Sequence, residues 1–202
     1  MEFADRSSRR VLLREFFSSA DADPYGIKKI DGLSTIIDIG ANIGMFAMQS
    51  RFMHPVARII AVEPNDKNYK ILARNVKHLR VELSQFMLGN DGRGECLKGR
   101  KSVSLKCKNS PDGNLSSKSL PTIVEEFDID VATSFFKIDC EGGELYMKDH
   151  PESLDIIKNC KGFGMEIHGD YPYWRGFLKE LEATHDIDIS GRRIIQANGI
   201  KK

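Results

Sequence analysis

Nine residues, Ile36-Ile37-Asp38-Ile39-Gly40-Ala41-Asn42-Ile43-Gly44, narrow the possible folds more than any other stretch of the chain. An apolar run breaks into closely spaced glycines and then turns helical, which reads as strand, tight turn and helix N-terminus. Glycines in such a turn let backbone N–H groups approach a ligand, and the helix N-terminus adds partial positive charge. About twenty residues on, Ile59-Ile60-Ala61-Val62 is a second apolar run, ending in Glu63-Pro64-Asn65. An acid at the tip of the second strand of a βαβ unit is placed to accept hydrogen bonds from a ribose. The first half of the chain therefore reads as a nucleoside holder.

Departures from the dinucleotide fingerprint narrow the choice. Asn42 and Met45 stand where the second and third glycines of Gly-x-Gly-x-x-Gly would be. Asp38 would repel a pyrophosphate, yet it suits an ammonium or sulfonium group. S-adenosylmethionine fits better. The spacing Asp38-x-Gly40-x-x-x-Gly44 resembles motif I of the class I methyltransferases, followed by their acidic ribose-binding residue, here Glu63. A glycine turn that binds nothing is the plainer alternative.

At 202 residues and 41% hydrophobic content, the expectation is one domain over residues 1–202 with a full core. Thirty basic against 29 acidic residues leave a net charge of +1, so no global field recruits nucleic acid or an anionic membrane. No apolar run approaches the ~20 residues that span a bilayer, and Arg9-Arg10-Val11-Leu12-Leu13 is too short for a signal peptide, so a cytoplasmic protein is expected. Cys96, Cys107, Cys140 and Cys160 lack zinc-site spacing, and reduced thiols are the expectation.

Along the chain, residues 7–18 place Val11, Leu12, Phe16 and Leu13 on a helix face, with core packing favoured over a membrane-surface role. Residues 21–26 read as a turn. The helix after Gly44 stops before Pro55, and Asp66 is a candidate cap for a helix carrying Tyr69, Ile71, Leu72, Val76 and Leu79. Residues 81–88 read as the third strand, residues 86–107 as an inserted antiparallel ribbon containing a strand at 103–107, and residues 109–118 as a mobile loop. Ser119 or Thr122 starts a short helix leading to the strand 134–139. Helical segments broken at Pro151, a strand at 162–168, a helix at 174–181 and a closing hairpin at 187–195 complete the chain. The pattern predicts an α/β fold: a doubly wound, mostly parallel, Rossmann-like sheet with an antiparallel C-terminal strand. Every Gly- and acid-rich break falls at a strand's carboxyl end, where such sheets bind ligands.

Taken together, the block 38–44, Val62-Glu63-Pro64-Asn65 and Lys137-Ile138-Asp139-Cys140-Glu141-Gly142-Gly143-Glu144 resemble the FkbM-type methyltransferase family, from about residue 34 to about 168. The resemblance implies the class I fold, S-adenosylmethionine as donor, and O-methylation, often of sugar or polyketide hydroxyls. On this reading Asp38 and the turn amides of Gly40, Ala41, Asn42 and Gly44 face the methionine end of the cofactor. Glu63 faces the ribose, and Pro64, Asn65 and Met87 border the adenine.

A hydroxyl acceptor must lose its proton to a nearby base. The candidates are Asp139, Glu141 and His168, with His168 or Glu141 as the base and Asp139 nearer the cofactor. Asp139 and Glu141 share a side if the strand stays extended. Glu141 as a helix cap and His168 as a satisfied edge histidine are the plainer alternatives. No metal is assigned; a divalent ion on Asp139, Glu141 and His168 is a weighed alternative without a fixed-spacing motif. Lys137 is expected to reach a polar edge or pair with an acid. The acceptor is expected to be a small molecule or glycan, with neither nucleic acid nor membrane as partner. An N-methyltransferase, or a binding scaffold of the same fold, is the alternative.

Overall fold

Strands buried on both faces read as unbroken apolar runs, and the centre of this fold is built from such strands. The computed structural model describes residues 1–17, 22–96, 106–168, 171–190 and 195–202. In chain order they form α1 (Arg6–Phe17), β1 (Thr35–Ile39), α2 (Met45–Met53), β2 (Arg58–Val62), α3 (Asp66–Val76) and β3 (Val81–Ser84). A small insert follows: β4 (Met87–Leu88), β5 (Gly92–Cys96), β6 (Cys107–Asn109) and β7 (Leu115–Lys118). Then come α4 (Leu120–Glu126), β8 (Ser134–Ile138), α5 (Pro151–Asn159), β9 (Gly162–Ile167), α6 (Tyr171–Leu181), β10 (His185–Ser190) and β11 (Ile195–Lys201).

The main sheet has the order β10-β11-β9-β8-β1-β2-β3, with β9 through β3 parallel and β11 antiparallel to both neighbours. Alternation along each strand feeds two cores. Ile37, Ile39, Ile60, Val62, Phe136 and Ile138 face α4, α5 and α6, while Ile36, Ile59, Ala61 and Phe135 face α1, α2 and α3. Chain order reverses beside β1, which leaves a crevice between the carboxyl ends of β1 and β8.

Several expectations change. The third strand ends at Ser84 because Phe86 turns into the core beside Phe127, ring centroids 6.2 Å apart, and Met87–Leu88 joins the second sheet, of order β4-β7-β5-β6. Residues 115–118, read as mobile loop, are a strand: backbone pairing needs no apolar side chains, and β5 and β4 supply partners on either side. Asn109 reinforces this sheet by donating from Nδ2 to the Asn90 carbonyl at 2.7 Å and to Ser117 Oγ at 3.0 Å. The helix cap is Asn65, whose side chain accepts from the Asn68 N–H, while Asp66 pairs with Lys70. Ser119 caps α4.

The thiol expectation is also corrected. Cys96 and Cys107 lie directly opposite in the β5–β6 register, Cα atoms 4.0 Å apart, and are joined in a disulfide. Sheet register brings them together across 11 residues, which linear spacing does not reveal. Leu12 and Phe16 of α1 are buried against the core. Residues 18–21 of the expected helix and turn, 103–105 of the expected ribbon strand and 191–194 of the closing hairpin lie outside the described residues. Among those described, no helix is long and apolar enough to cross a membrane.

Asp38 and Lys137 are register partners at the heart of the parallel sheet. Lys137 Nζ lies 3.0 Å from Asp38 Oδ1 and donates to the carbonyls of Gly40 at 2.6 Å and Ile39 at 3.3 Å. Burial pushes the Asp38 carboxyl above its usual range, and the Lys137 charge pulls it back. Removing one partner strands a buried charge, whereas removing both does not. Lys137→Met is expected to lower the unfolding free energy by about 3–5 kcal/mol. Adding Asp38→Asn recovers at least half of that loss, as read from urea unfolding midpoints at constant slope.

Candidate functional site

The turn after β1 is set by Gly40, whose φ of +79° favours glycine and whose missing Cβ would overlap the Asp139 carbonyl oxygen. This glycine therefore lets the ends of β1 and β8 close together. The turn amides do not reach toward a ligand as expected, because they are spent internally. Gly40 and Ala41 donate to the Val62 carbonyl at 3.0 and 2.8 Å, Asn42 donates to Glu63 Oε2 at 2.9 Å, and Gly44 donates to the Ala41 carbonyl at 2.8 Å. Glu63 Oε1 accepts from the Asn65 N–H at 2.8 Å. Burial raises the Glu63 carboxyl to about 7, against the opposing pull of the Asn65 and Asn42 hydrogen bonds and the Lys137 charge.

Gly40, Asn42, Glu63, Pro64 and Asn65 line one side of a cleft at the carboxyl ends of β1 and β2; Asp139, Cys140 and Glu141 line the other. Ala41 borders a smaller adjoining cleft beneath Leu12 and Phe16 of α1. Three predicted residues lie elsewhere. Asp38 is sealed under the cleft against Lys137, because strand alternation turns it into the sheet face that α2 covers. Gly44 sits behind the cleft, where a Cβ would press on Leu72 and Val76 of α3. Met87 is buried in the inserted sheet against Gly89 and Gly94 rather than bordering the cleft. The cleft as it stands encloses about 60 Å³. A bound nucleoside needs several times that, so binding includes a widening.

The acidic side is organised by a residue that sequence reasoning quoted but gave no role. Glu144 is fully buried and accepts from the Gly142 N–H at 2.9 Å, the His168 N–H at 2.8 Å and His168 Nδ1 at 3.0 Å. Because that carboxylate accepts, Nδ1 carries the proton and Nε2 points away, 3.5 Å from Glu141 Oε2. Glu141 and Gly142 both take left-handed backbone, φ +54° and +106°, so the extended alternation expected to align Asp139 with Glu141 does not hold. Nor is Glu141 the cap of the following turn, which Glu144 braces instead. Tyr25, read only as part of a turn, donates its hydroxyl to Asp139 Oδ2 at 2.9 Å. Burial works to lower the His168 pKa, but the Glu144 hydrogen bond and the charges of Glu144, Glu141 and Asp139 outweigh it and raise it to about 9. Burial also raises the Glu141 carboxyl.

Beyond Glu141 opens a larger cavity of about 540 Å³, walled by His168, Tyr146, Lys106, Lys108 and Lys148. It shares Glu141 and Cys107 with the first cleft.

A seven-stranded sheet of this order, parallel but for β11, with a glycine turn after β1 and a carboxylate after β2 on one crevice, has the architecture of the class I methyltransferase fold. The chain belongs to the FkbM methyltransferases, matching the methyltransferase FkbM domain over residues 38–181. The family is one of methyltransferases, and the methyl donor of such enzymes is S-adenosylmethionine. A 52-residue stretch is 38% identical to methyltransferase sdnD of Sordaria araneosa, covering 26% of this chain and 20% of that protein. The chain thus matches about a fifth of that relative's length. Among solved structures, precorrin-6y C5,15-methyltransferase from Geobacter metallireducens GS-15 shares the fold at a TM-score of 0.50 and 13% identity, over 99% of this chain and 90% of that one. The N-terminal domain of human METTL16 in complex with SAH aligns at a TM-score of 0.46 and 14% identity, over 100% of this chain and 71% of that one.

The residues present fit the cofactor. Glu63 offers a carboxylate for two ribose hydroxyls, and Asn42 Oδ1 is buried at the cleft with no hydrogen-bond partner, ready to accept from an amine. Ionised Glu63 accepts hydroxyls better than the neutral acid, so binding favours the charged form and lowers the Glu63 pKa in the complex. Cofactor affinity is accordingly expected to rise with pH through about 7 and to level off above it. Calorimetric titrations across that range check this. Glu63→Gln binds at least tenfold more weakly and shows no such dependence.

Proposed function

We propose that the protein O-methylates a hydroxyl on a sugar or other small metabolite, with the acceptor held in the larger cavity. One observation carries this reading: Glu141 stands where the cofactor cleft and that cavity meet, a carboxylate on the wall of both. When bound, S-adenosylmethionine supplies a sulfonium-borne methyl that moves to the acceptor oxygen as the carbon–sulfur bond breaks and sulfur keeps the electron pair. Glu141 takes the hydroxyl proton, its basicity raised by burial. His168, held by Glu144, orients Glu141 from 3.5 Å away. Asp139 lies nearer the cofactor and is held by Tyr25. The remaining work is alignment of oxygen, methyl carbon and sulfur, which can supply several kcal/mol of the barrier.

A net charge of +1 favours a small molecule or a glycan end over a nucleic acid. A cytoplasmic setting belongs to the same proposal, and there the Cys96–Cys107 disulfide would be a bond that forms and breaks rather than a permanent staple.

The test is a pool of hydroxylated sugars and metabolites incubated with methyl-labelled cofactor. Label is expected in a hydroxyl-bearing product. Glu141→Gln and His168→Ala are each expected to lower kcat by about 10²–10⁴-fold while cofactor affinity stays within about twofold. Full turnover in both variants would overturn the assignment.

A further inference from the structure

Three side chains at the carboxyl ends of β8 and β9 form a constellation that reaches beyond the cofactor cleft. Asp139, Glu166 and His168 each offer one ligand atom, and those atoms all lie within 4.8 Å of one another. Glu166 and His168 fall on the same side of the extended chain by the period of two along β9, and Asp139 follows the neighbouring parallel strand. Donors at about 2.0–2.2 Å from a shared cation stand roughly 3 to 4.3 Å apart, so a closing of about half an ångström makes the set a chelate.

The surroundings match those of a metal ligand set. His168 gives its Nδ1 proton to fully buried Glu144 at 3.0 Å, which fixes the tautomer and leaves Nε2 buried without a hydrogen-bond partner. A carboxylate behind the distal nitrogen is the usual way a metal-binding imidazole is oriented. Asp139 is likewise steadied, by the Tyr25 hydroxyl on its Oδ2. Glu141 adds a further carboxylate 3.5 Å from Nε2. Lys137 stands 3.0 Å from Asp38 and 3.9 Å from Asp139. Four carboxylates therefore converge on one imidazole.

We propose that Asp139, Glu166 and His168 bind one divalent transition-metal cation at the junction of the cofactor cleft and the acceptor cavity. Two carboxylates and one imidazole suit Mn²⁺, Fe²⁺, Co²⁺ or Zn²⁺ better than Mg²⁺ or Ca²⁺. A cation there would polarise the acceptor hydroxyl and ease its proton toward Glu141. That role rests on the methylation reading above, whereas the binding does not.

The probe is Mn²⁺ added to the full chain after dialysis against a chelator, with no acceptor present. Calorimetry is expected to count one ion per chain. Pulsed electron paramagnetic resonance of the unaltered protein is expected to show coupling to a single imidazole nitrogen. Asp139→Asn and His168→Ala each weaken binding at least tenfold, while Lys70→Ala, on the exposed face of α3, leaves it unchanged. Absence of the nitrogen coupling, or binding undiminished in the Asp139→Asn/His168→Ala double variant, overturns the site. Because no methyl is transferred in these measurements, their failure leaves the proposed methylation standing.

Discussion

The ammonium of Lys137 is the interaction on which the arrangement depends. From the middle of β8 it neutralises Asp38 on β1 and caps the carbonyls of Ile39 and Gly40, where β1 leaves the sheet. A buried ion pair of this kind contributes little net stability, because desolvation offsets most of the attraction. Its consequence is positional. It ties the ends of two parallel strands together at the point where chain order reverses, and Gly40 permits that approach by having no side chain to collide with Asp139. The crevice for the cofactor is what remains above the tie.

Charge in the crevice is arranged in two layers. Asp38 and Lys137 cancel beneath the floor, while Glu63, Asp139 and Glu141 line the crevice with carboxyl groups. Carboxyl groups there suit a sulfonium or an ammonium better than a pyrophosphate. Glu144 adds order to it. By accepting from Gly142, the His168 backbone and the His168 ring, it locks the end of β9 onto the turn after β8.

The insert between β3 and α4 walls one side of the larger cavity. Its four short strands hold together by backbone pairing, by the Asn109 side chain and by the Cys96–Cys107 disulfide. Asp91 ties the insert to the main fold by accepting from the Ser119 N–H and hydroxyl and from Thr122. Cys107 and Lys106 bring the insert's edge to the cavity that Glu141 and His168 close from the other side.

The layered fold, its parallel centre and its antiparallel end were legible in the sequence, because an apolar run of four or five residues between glycine and acid breaks has few other ways to be buried. So was the gathering of Gly40, Asn42, Glu63, Pro64 and Asn65 along one cleft: they lie within a few residues of strand ends, and local geometry alone sends them there. What tertiary structure decided were pairings between distant segments. Asp38 could be placed at a strand end but not turned downward onto Lys137, 99 residues away in sequence. Met87 could be assigned to a strand but not to the correct sheet, and two cysteines could be counted but not brought face to face. Glu144 and Tyr25 carry no local signal, since their work is done on His168 and Asp139 across the fold. Sequence periodicity fixes which way a side chain leaves its own strand; only packing determines what it meets there.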